Sequence, residues 1–449
     1  MRVSSVSDYL NRKYSNTDRV LLINPPVVEA RYQWSRWNQP LDLLKLGSYL
    51  KAEFECEVRL FDFMLPSGGK VNRLIYKPES SAVVGDHSLP IWRWGQKEED
   101  FTTWFDRLLL RWRPTDIWLT SLTTYWWKGV RDTVISIKNC YCDANVVLYG
   151  QYPMLETEHA LQNSLADVLL TDKLELKDYS ADFSLYEKAK PEFCALDVRA
   201  RNWHEEALEK FREGLTDFVF FNDPLIGEAE EFLLRGLGIL KEQVEKSASK
   251  KKLRFHGICG LYPGDFSDAL AKGFKEAGFS QLHFEYQTNG EELNLDAYIK
   301  AKESYERAEF NLDPDHISGF VNIGMPNDNL ERIIRHALNL LEIFGSIIFK
   351  PYAPTPRAAL YEEYRDFLRT EKIERLSPHF FPFSRINHIS LKDYEELYIL
   401  AAALNKKVRN RSFNYFPGTL AYEMIKTSLN REVWRLNDEK SAAHKSACL

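Results

Sequence analysis

The chain has 449 residues, of which 44% are hydrophobic and 28% charged, and its net charge is −6. That make-up leaves room for about three domains and a large core, and it weighs against nucleic acid or anionic lipid as a partner. No apolar run approaches the ~20 residues of a membrane span, and the polar N-terminus has no signal-peptide core; a cytoplasmic protein is expected.

Residues 1–175 read as a first domain. Strands are predicted at RVLLIN (19–24), EVRLFDF (57–63), DIWLTSL (116–122), NVVLYG (145–150) and ADVLLT (166–171). Between them, LDLLKLGSYLKAEF, EEDFTTWFDRLLLRW, KGVRDTVISIKN and MLETEHALQNSL carry apolar residues at helical spacing. Such alternation predicts an α/β fold, a flavodoxin-like doubly wound parallel sheet. Trp104 and Trp112 fit the apolar face of the second of these helices as core residues.

Ligands of such sheets bind beyond the carboxyl ends of the strands, here NPPVVEARY (24–32), TSLTTYWW (120–127) and GQYPML (150–155). No G-x-G-x-x-G follows the first strand, and Pro25 and Pro26 remove amides that would cradle a pyrophosphate. A dinucleotide is therefore not expected. The loops offer the hydroxyls of Thr120, Ser121, Thr123 and Thr124, several aromatic rings and a turn at Gly150. They suit a broad, flat, partly polar ligand, and they suit docking against another domain equally well. Adjacent Trp126 and Trp127 cannot both point inward, so one is expected to cover a ligand or a partner domain.

The strand-Asn-Pro-Pro, strand-Ser-x-x-Thr and strand-Gly-x patterns of RVLLINPPVV, TSLTTYWW and ANVVLYGQYP resemble the cobalamin-binding domain found ahead of radical S-adenosylmethionine (SAM) barrels. The resemblance implies a cobalamin held by Asn24, Pro25, Ser121, Thr123, Thr124, Tyr125, Trp126, Gly150, Gln151 and Tyr152. The Asp-x-His-x-x-Gly motif of other cobalamin domains is absent, so it implies no histidine on the cobalt. Gln151 stands where the family has a second glycine and crowds the approach of a corrin.

A linker is expected over 176–190 and a second domain over 191–357. Its predicted strands are FCALDVRA (193–200), DFVFFN (217–222), LRFHGIC (253–259), QLHFEYQ (281–287), ISGFVNIG (317–324) and GSIIFKPY (345–352), with helices between. Six strands and five crossovers predict a partial (β/α)6 TIM-like barrel or a second open sheet. ALAKGFKEAGFSQLHFEYQ, SGFVNIGMPNDNLERIIRHALNLL and IIFKPYAPTPRAALYEEY resemble successive units of the radical SAM barrel.

The departures from that family bear on function. Its C-x3-C-x2-C loop, whose thiolates hold a [4Fe–4S] cluster, belongs after the first barrel strand. Here EFCALDVRARNWHEE runs from strand to helix with Cys194 alone. The six cysteines (56, 140, 142, 194, 259 and 448) are scattered, imply no disulfide framework and show no zinc spacing, so no metal site is assigned. Gln287 replaces a glutamate that reaches SAM in the family, and Cys259 and Gly260 stand where an arginine often meets its carboxylate. The expectation is a degenerate member with neither cluster nor SAM.

Asp197, Arg199, Asn222, Glu285 and Gln287 are the candidates for other chemistry at the strand ends, with structural ion pairs as the alternative. Asp313, Asp315 and His316 in NLDPDHISG could form a metal site or a polar turn, the turn being favoured by Asp-Pro. His256 and His283 sit in apolar strands and read as core histidines.

A helical C-terminal region is expected over 358–436 and a disordered tail over 437–449. The resemblance implies a non-catalytic accessory or ligand-binding pseudoenzyme, partnered by an active radical SAM relative or another subunit. The alternatives are a cobalamin-dependent methyltransferase using the barrel mouth and a purely structural subunit.

Overall fold

A computed structural model describes residues 2–16, 18–30, 39–66, 71–76, 81–84, 87–176, 178–186, 192–196, 203–220, 230–246, 252–285, 293–312 and 316–410. They form two compact units. The first comprises Met1–Ala195, Ala200–Asn202 and Pro354–Phe380; the second takes Leu196–Arg199, Trp203–Ala353 and the chain from Phe381 on.

The first unit is built on a six-stranded sheet whose strands are all parallel. In chain order they are β1 (Arg2–Ser4), β2 (Arg19–Asn24), β3 (Glu57–Asp62), β4 (Asp116–Ser121), β5 (Asn145–Gly150) and β6 (Val168–Leu170). In space the order is β1-β6-β5-β4-β2-β3. Counted from Arg19, the five longer-established strands run 2-1-3-4-5, and the sense of winding reverses between β2 and β4. Val20–Ile23 and Val146–Leu148 are wholly buried, as near-continuous apolar strands covered on both faces must be. Helices α1 (Val6–Lys13), α2 (Leu41–Phe54), α3 (Glu98–Leu109), α4 (Trp127–Cys140), α5 (Gln151–Leu155) and α6 (Thr157–Asn163) lie in the connections.

Three features depart from the expected plan. The polar N-terminus forms a strand and a helix: β1 pairs with β6, and Ser5 caps α1 by accepting from the Asp8 amide at 3.0 Å. The connections after β2 and β3 carry short antiparallel strands, with Trp92–Trp94 between Val27–Glu29 and Arg73–Ile75 and a hairpin of Ser81–Val84 with His87–Pro90. Trp112 is buried, yet it follows the end of α3 rather than lying on its face. Two segments also pack elsewhere than their sequence position suggests. Tyr186, in the stretch read as a linker, is buried and donates to Asp62 at 2.8 Å. Residues 354–380, read as barrel end and helical tail, belong to the first unit.

The second unit is a sheet whose strands keep chain order: β7 (Cys194–Leu196), β8 (Asp217–Phe220), β9 (Arg254–Leu261), β10 (Phe279–Glu285), β11 (Ile317–Ile323) and β12 (Ile347–Pro351). The pairings from β8 to β12 are parallel. Helices α7 (Trp203–Arg212), α8 (Glu230–Lys246), α9 (Asp268–Ala277), α10 (Leu295–Arg307) and α11 (Leu330–Phe344) occupy the five crossovers. Phe220, Phe255 and Phe279 stack across three neighbouring strands, with centroids 5.2–5.5 Å apart. The outer edge of β12 is covered by α12 (Leu391–Asn410), where the Asn405 amide group both donates to and accepts from the Ile347 backbone at 2.8 and 3.0 Å. That side chain takes the place of a further strand. The last predicted helix and the tail, residues 411–449, lie outside the described residues. Among the described residues no helix is long and apolar enough to cross a membrane.

Candidate functional site

The reversal of winding between β2 and β4 opens a crevice at their carboxyl ends, where open α/β sheets take ligands. The register brings Gly150 beside Ser121 and Asn24 beside Asp62 at this edge. A cavity of about 20 Å³ lies here, lined by Asn24, Pro25, Pro26, Ser121, Trp126 and neighbouring residues. It has room for about one water molecule.

Several polar groups of this rim are bonded to one another. Asn24 Nδ2 donates to Asp62 Oδ1 at 2.7 Å, and the same carboxylate accepts from the Met64 amide and the Tyr186 hydroxyl, each at 2.8 Å. Ser121 Oγ donates to the Thr123 carbonyl at 2.6 Å. Gly150 has φ +100°, and a Cβ there would stand 2.6 Å from Thr120 Oγ1; the turn into α5 thus requires glycine on both counts. Gly129, in the first turn of α4, touches the first-strand loop: a Cβ would lie 1.8 Å from the Pro26 carbonyl oxygen. The Asn-Pro-Pro loop is therefore clamped to α4 by a missing methyl group.

Behind the cavity lies Glu29, 4% exposed. Burial pushes its carboxyl up to about 7, against hydrogen bonds from Ser377, the Ala30 amide and Trp126 that pull it down. The Ala30 bond is 2.8 Å long. Sequence reading missed this residue. Its one signal was a lone carboxylate inside the apolar run VVEA just past a strand end.

Of the ten residues expected to contact a cofactor, Asn24, Pro25, Ser121 and Trp126 line the cavity together. Gly150 and Thr124 are buried beneath the rim, Thr123 and Tyr125 are half-buried, and Gln151 is exposed at the start of α5. Tyr152 is fully buried and bonds His159 Nδ1 at 2.8 Å, away from the rim. Of the tryptophan pair, Trp127 is buried and Trp126 half-buried.

At the carboxyl ends of the second sheet, Glu285 is 8% exposed and ion-paired with Lys350 of β12. Asp328 Oδ2 accepts from the Gly324 and Met325 amides at 2.6 and 3.0 Å, closing the Gly-Met-Pro-Asn-Asp turn between β11 and α11. The pattern that resembled the barrel family is here a structural turn. His283 is 6% exposed, bonded to Ser318 and stacked on Phe320, and burial lowers its pKa to about 4. His256 reaches Asp217 and Ser280, each at 3.4 Å, and His316 bonds the Ser280 carbonyl. Asp197, Arg199, Asn222, Gln287, Asp313 and Asp315 lie outside the described residues. Cys194 is fully buried on β7. Among the described residues, no three His, Cys, Asp or Glu side chains are grouped as a metal site would require.

No protein-family model matches the chain, and no curated protein matches it by sequence. Two solved structures of the radical SAM methyltransferase TsrM from Kitasatospora setae are similar to it. The one with tryptophan substrate and the SAM analog aza-SAM bound gives a TM-score of 0.52 at 11% identity over 78% of this chain and 77% of that one. The one with cobalamin and a [4Fe-4S] cluster bound gives 0.50 at 10% identity over 74% and 75%. At such identity the likeness is one of fold: a mixed α/β chain with parallel sheets, comparable in extent to that methyltransferase.

Proposed function

We propose that this chain is a degenerate relative of the cobalamin-binding radical SAM proteins, with a flavodoxin-like first unit and a partial-barrel second unit. In this reading it builds no iron–sulfur cluster and works in the cytoplasm as a non-catalytic, ligand-holding accessory to an active relative. One observation carries this reading. The fold resembles TsrM over about three quarters of the chain, yet its six cysteines nowhere form a C-x3-C-x2-C triplet. A [4Fe–4S] cluster is held by several cysteine thiolates. Cys194 stands alone in its segment, so the residues do not fit that group, and no chemistry is derived through it or through SAM.

A corrin fares better but not inside the rim. The cavity between β2 and β4 admits about one water, and Asn24 and Ser121 have other partners. What the unit offers a macrocycle is the outside of the rim beside the half-buried Trp126, where the exposed Gln151 side chain crowds the approach. Methyl transfer at the second sheet has less support, because Glu285 is already paired with Lys350.

Two measurements test the proposal. Anaerobic treatment with iron and sulfide should leave the desalted chain without stoichiometric iron; about four irons per chain, the content of a cubane, would overturn the degenerate assignment. Incubation with hydroxocobalamin followed by desalting should leave corrin absorbance with the protein. A colourless protein fraction would remove the ligand-holding role.

A further inference from the structure

A second cleft in the first unit, separate from the β2–β4 crevice, has a volume of about 430 Å³. Trp127 of α4, Glu156 in the link between α5 and α6, and His159 of α6 form one wall, and residues 361–376 form the other. Cavities of this size with an apolar floor and a few polar groups are the usual form of small-molecule sites.

The floor is apolar and aromatic. Trp127, Tyr361, Leu368 and Leu376 are each less than a tenth exposed. The Trp127 ring is held on two sides, edge-on by His159 at 5.0 Å and by the Arg131 guanidinium at 5.0 Å. Burial lowers the His159 pKa, so its ring is neutral at neutral pH and its Nδ1 is engaged by Tyr152.

The charges around the cleft do not cancel. Glu374 is paired with Lys128 at 3.3 Å and accepts from Trp127 Nε1 at 3.4 Å. Glu371 is paired with Arg375 at 3.7 Å. The Glu156 carboxyl is raised by burial and is bonded to the Tyr361 hydroxyl, with Arg369 and Arg357 near enough to pull it back down. Each carboxylate thus has a partner of its own. Arg369 and Lys372 are exposed at the mouth; Arg369 feels the Glu156 charge without closing an ion pair within 4 Å, and Lys372 closes none with the described residues. Arg131 is paired with Asp132, so Lys128, Arg369, Lys372 and Arg375 set against Glu156, Glu371 and Glu374 leave a small positive excess, carried at the mouth by Lys372.

We propose that this cleft binds a small amphipathic organic anion, a carboxylate on a flat apolar body. The body lies on the floor made by Trp127, Tyr361 and Leu368, and the carboxylate meets Arg369 and Lys372 at the mouth. An arginine beside a lysine offers a planar pair of donors together with a point charge, which suits a carboxylate.

The test is calorimetric titration of the full chain with 2-naphthoate and with its neutral counterpart, 2-naphthalenemethanol. Naphthoate should bind, and the alcohol should bind about tenfold more weakly, the effect of losing ~1.4 kcal/mol of charge recognition. The exposed double variant Arg369→Gln/Lys372→Gln should weaken naphthoate by about tenfold or more and leave the alcohol unchanged. Leu368→Trp should abolish both by filling the floor; circular dichroism and the thermal midpoint establish that it folds. Absence of naphthoate and benzoate binding at millimolar concentration overturns the proposal, and so does equal affinity for naphthoate in the wild-type chain and the double variant. Neither result depends on cobalamin or iron, so this proposal can fail while the accessory role stands.

Discussion

At the amino end of the first sheet, Asp116 is fully buried and surrounded by donors. The Tyr9 and Tyr14 hydroxyls reach one of its oxygens at 2.8 and 2.6 Å, and Asn145 Nδ2 reaches the other at 2.6 Å. The two tyrosines come from α1 and the turn after it, so this carboxylate ties the N-terminal helix to β4 and β5. At the carboxyl end, Glu29 is buried almost as completely, yet its environment favours the neutral acid strongly enough to bring it up to about 7. Each carboxylate accepts three hydrogen bonds, so their number does not separate the two; for Glu29 the cost of burying a charge outweighs the three bonds that pull its pKa down. The amino end is an anchor, and the carboxyl end, next to the cavity, is where protonation can change under mild conditions.

Four substitutions break or sharpen this contrast. Asp116→Ala removes the acceptor of the Tyr9 and Tyr14 hydroxyls and one of the two acceptors of Asn145, and should cost about 4 kcal/mol, read from urea midpoints; an unchanged midpoint would mean that the amino end is no anchor. Glu29 should make stability depend on pH. Its pKa is higher in the folded chain, so its favourable contribution is complete below about pH 4.5 and is lost as the pH rises through about 7. The loss is on the order of 3 kcal/mol. Glu29→Gln should flatten the fall in midpoint between pH 5 and pH 8, and an identical slope in the variant removes the contrast. Gly129→Ala drives a methyl group against the Pro26 carbonyl and should cost about 2 kcal/mol. Gln151→Gly, at an exposed helix start, should cost under about 1 kcal/mol and raise cobalamin retention after desalting.

The central strands were legible because parallel strands covered on both faces become unbroken apolar runs, as in RVLLIN and NVVLYG. The helices of the second unit were legible from the spacing of their apolar residues, while the ends of α11 are set by caps: Asn329 accepts from the Arg332 amide, and Gly345 ends it. Strand β1 was not legible. Arg-Val-Ser has no pattern of its own and becomes a strand only through its pairing with Val168–Leu170. The site was read in part for a related reason. An Asn or Ser at a strand end has the same appearance in sequence whether it faces a ligand or a neighbour, and Asn24 faces Asp62. Glu29, Asp62 and Gly129 acquire their roles from contacts distant in sequence, and no local spacing announces them.

The return of residues 354–380 to the first unit has a consequence for synthesis. As the chain leaves the ribosome, the first sheet emerges complete, but Glu374, which meets Trp127 and Lys128, and Ser377, which meets Glu29, arrive only after the whole of the second sheet has been made. Until Glu374 and Ser377 appear, an indole, an ammonium group and a carboxyl each lack one of the neighbours that later enclose them. A nascent protein in that condition presents a sticky flank, and holding it apart from other chains is a task for chaperones.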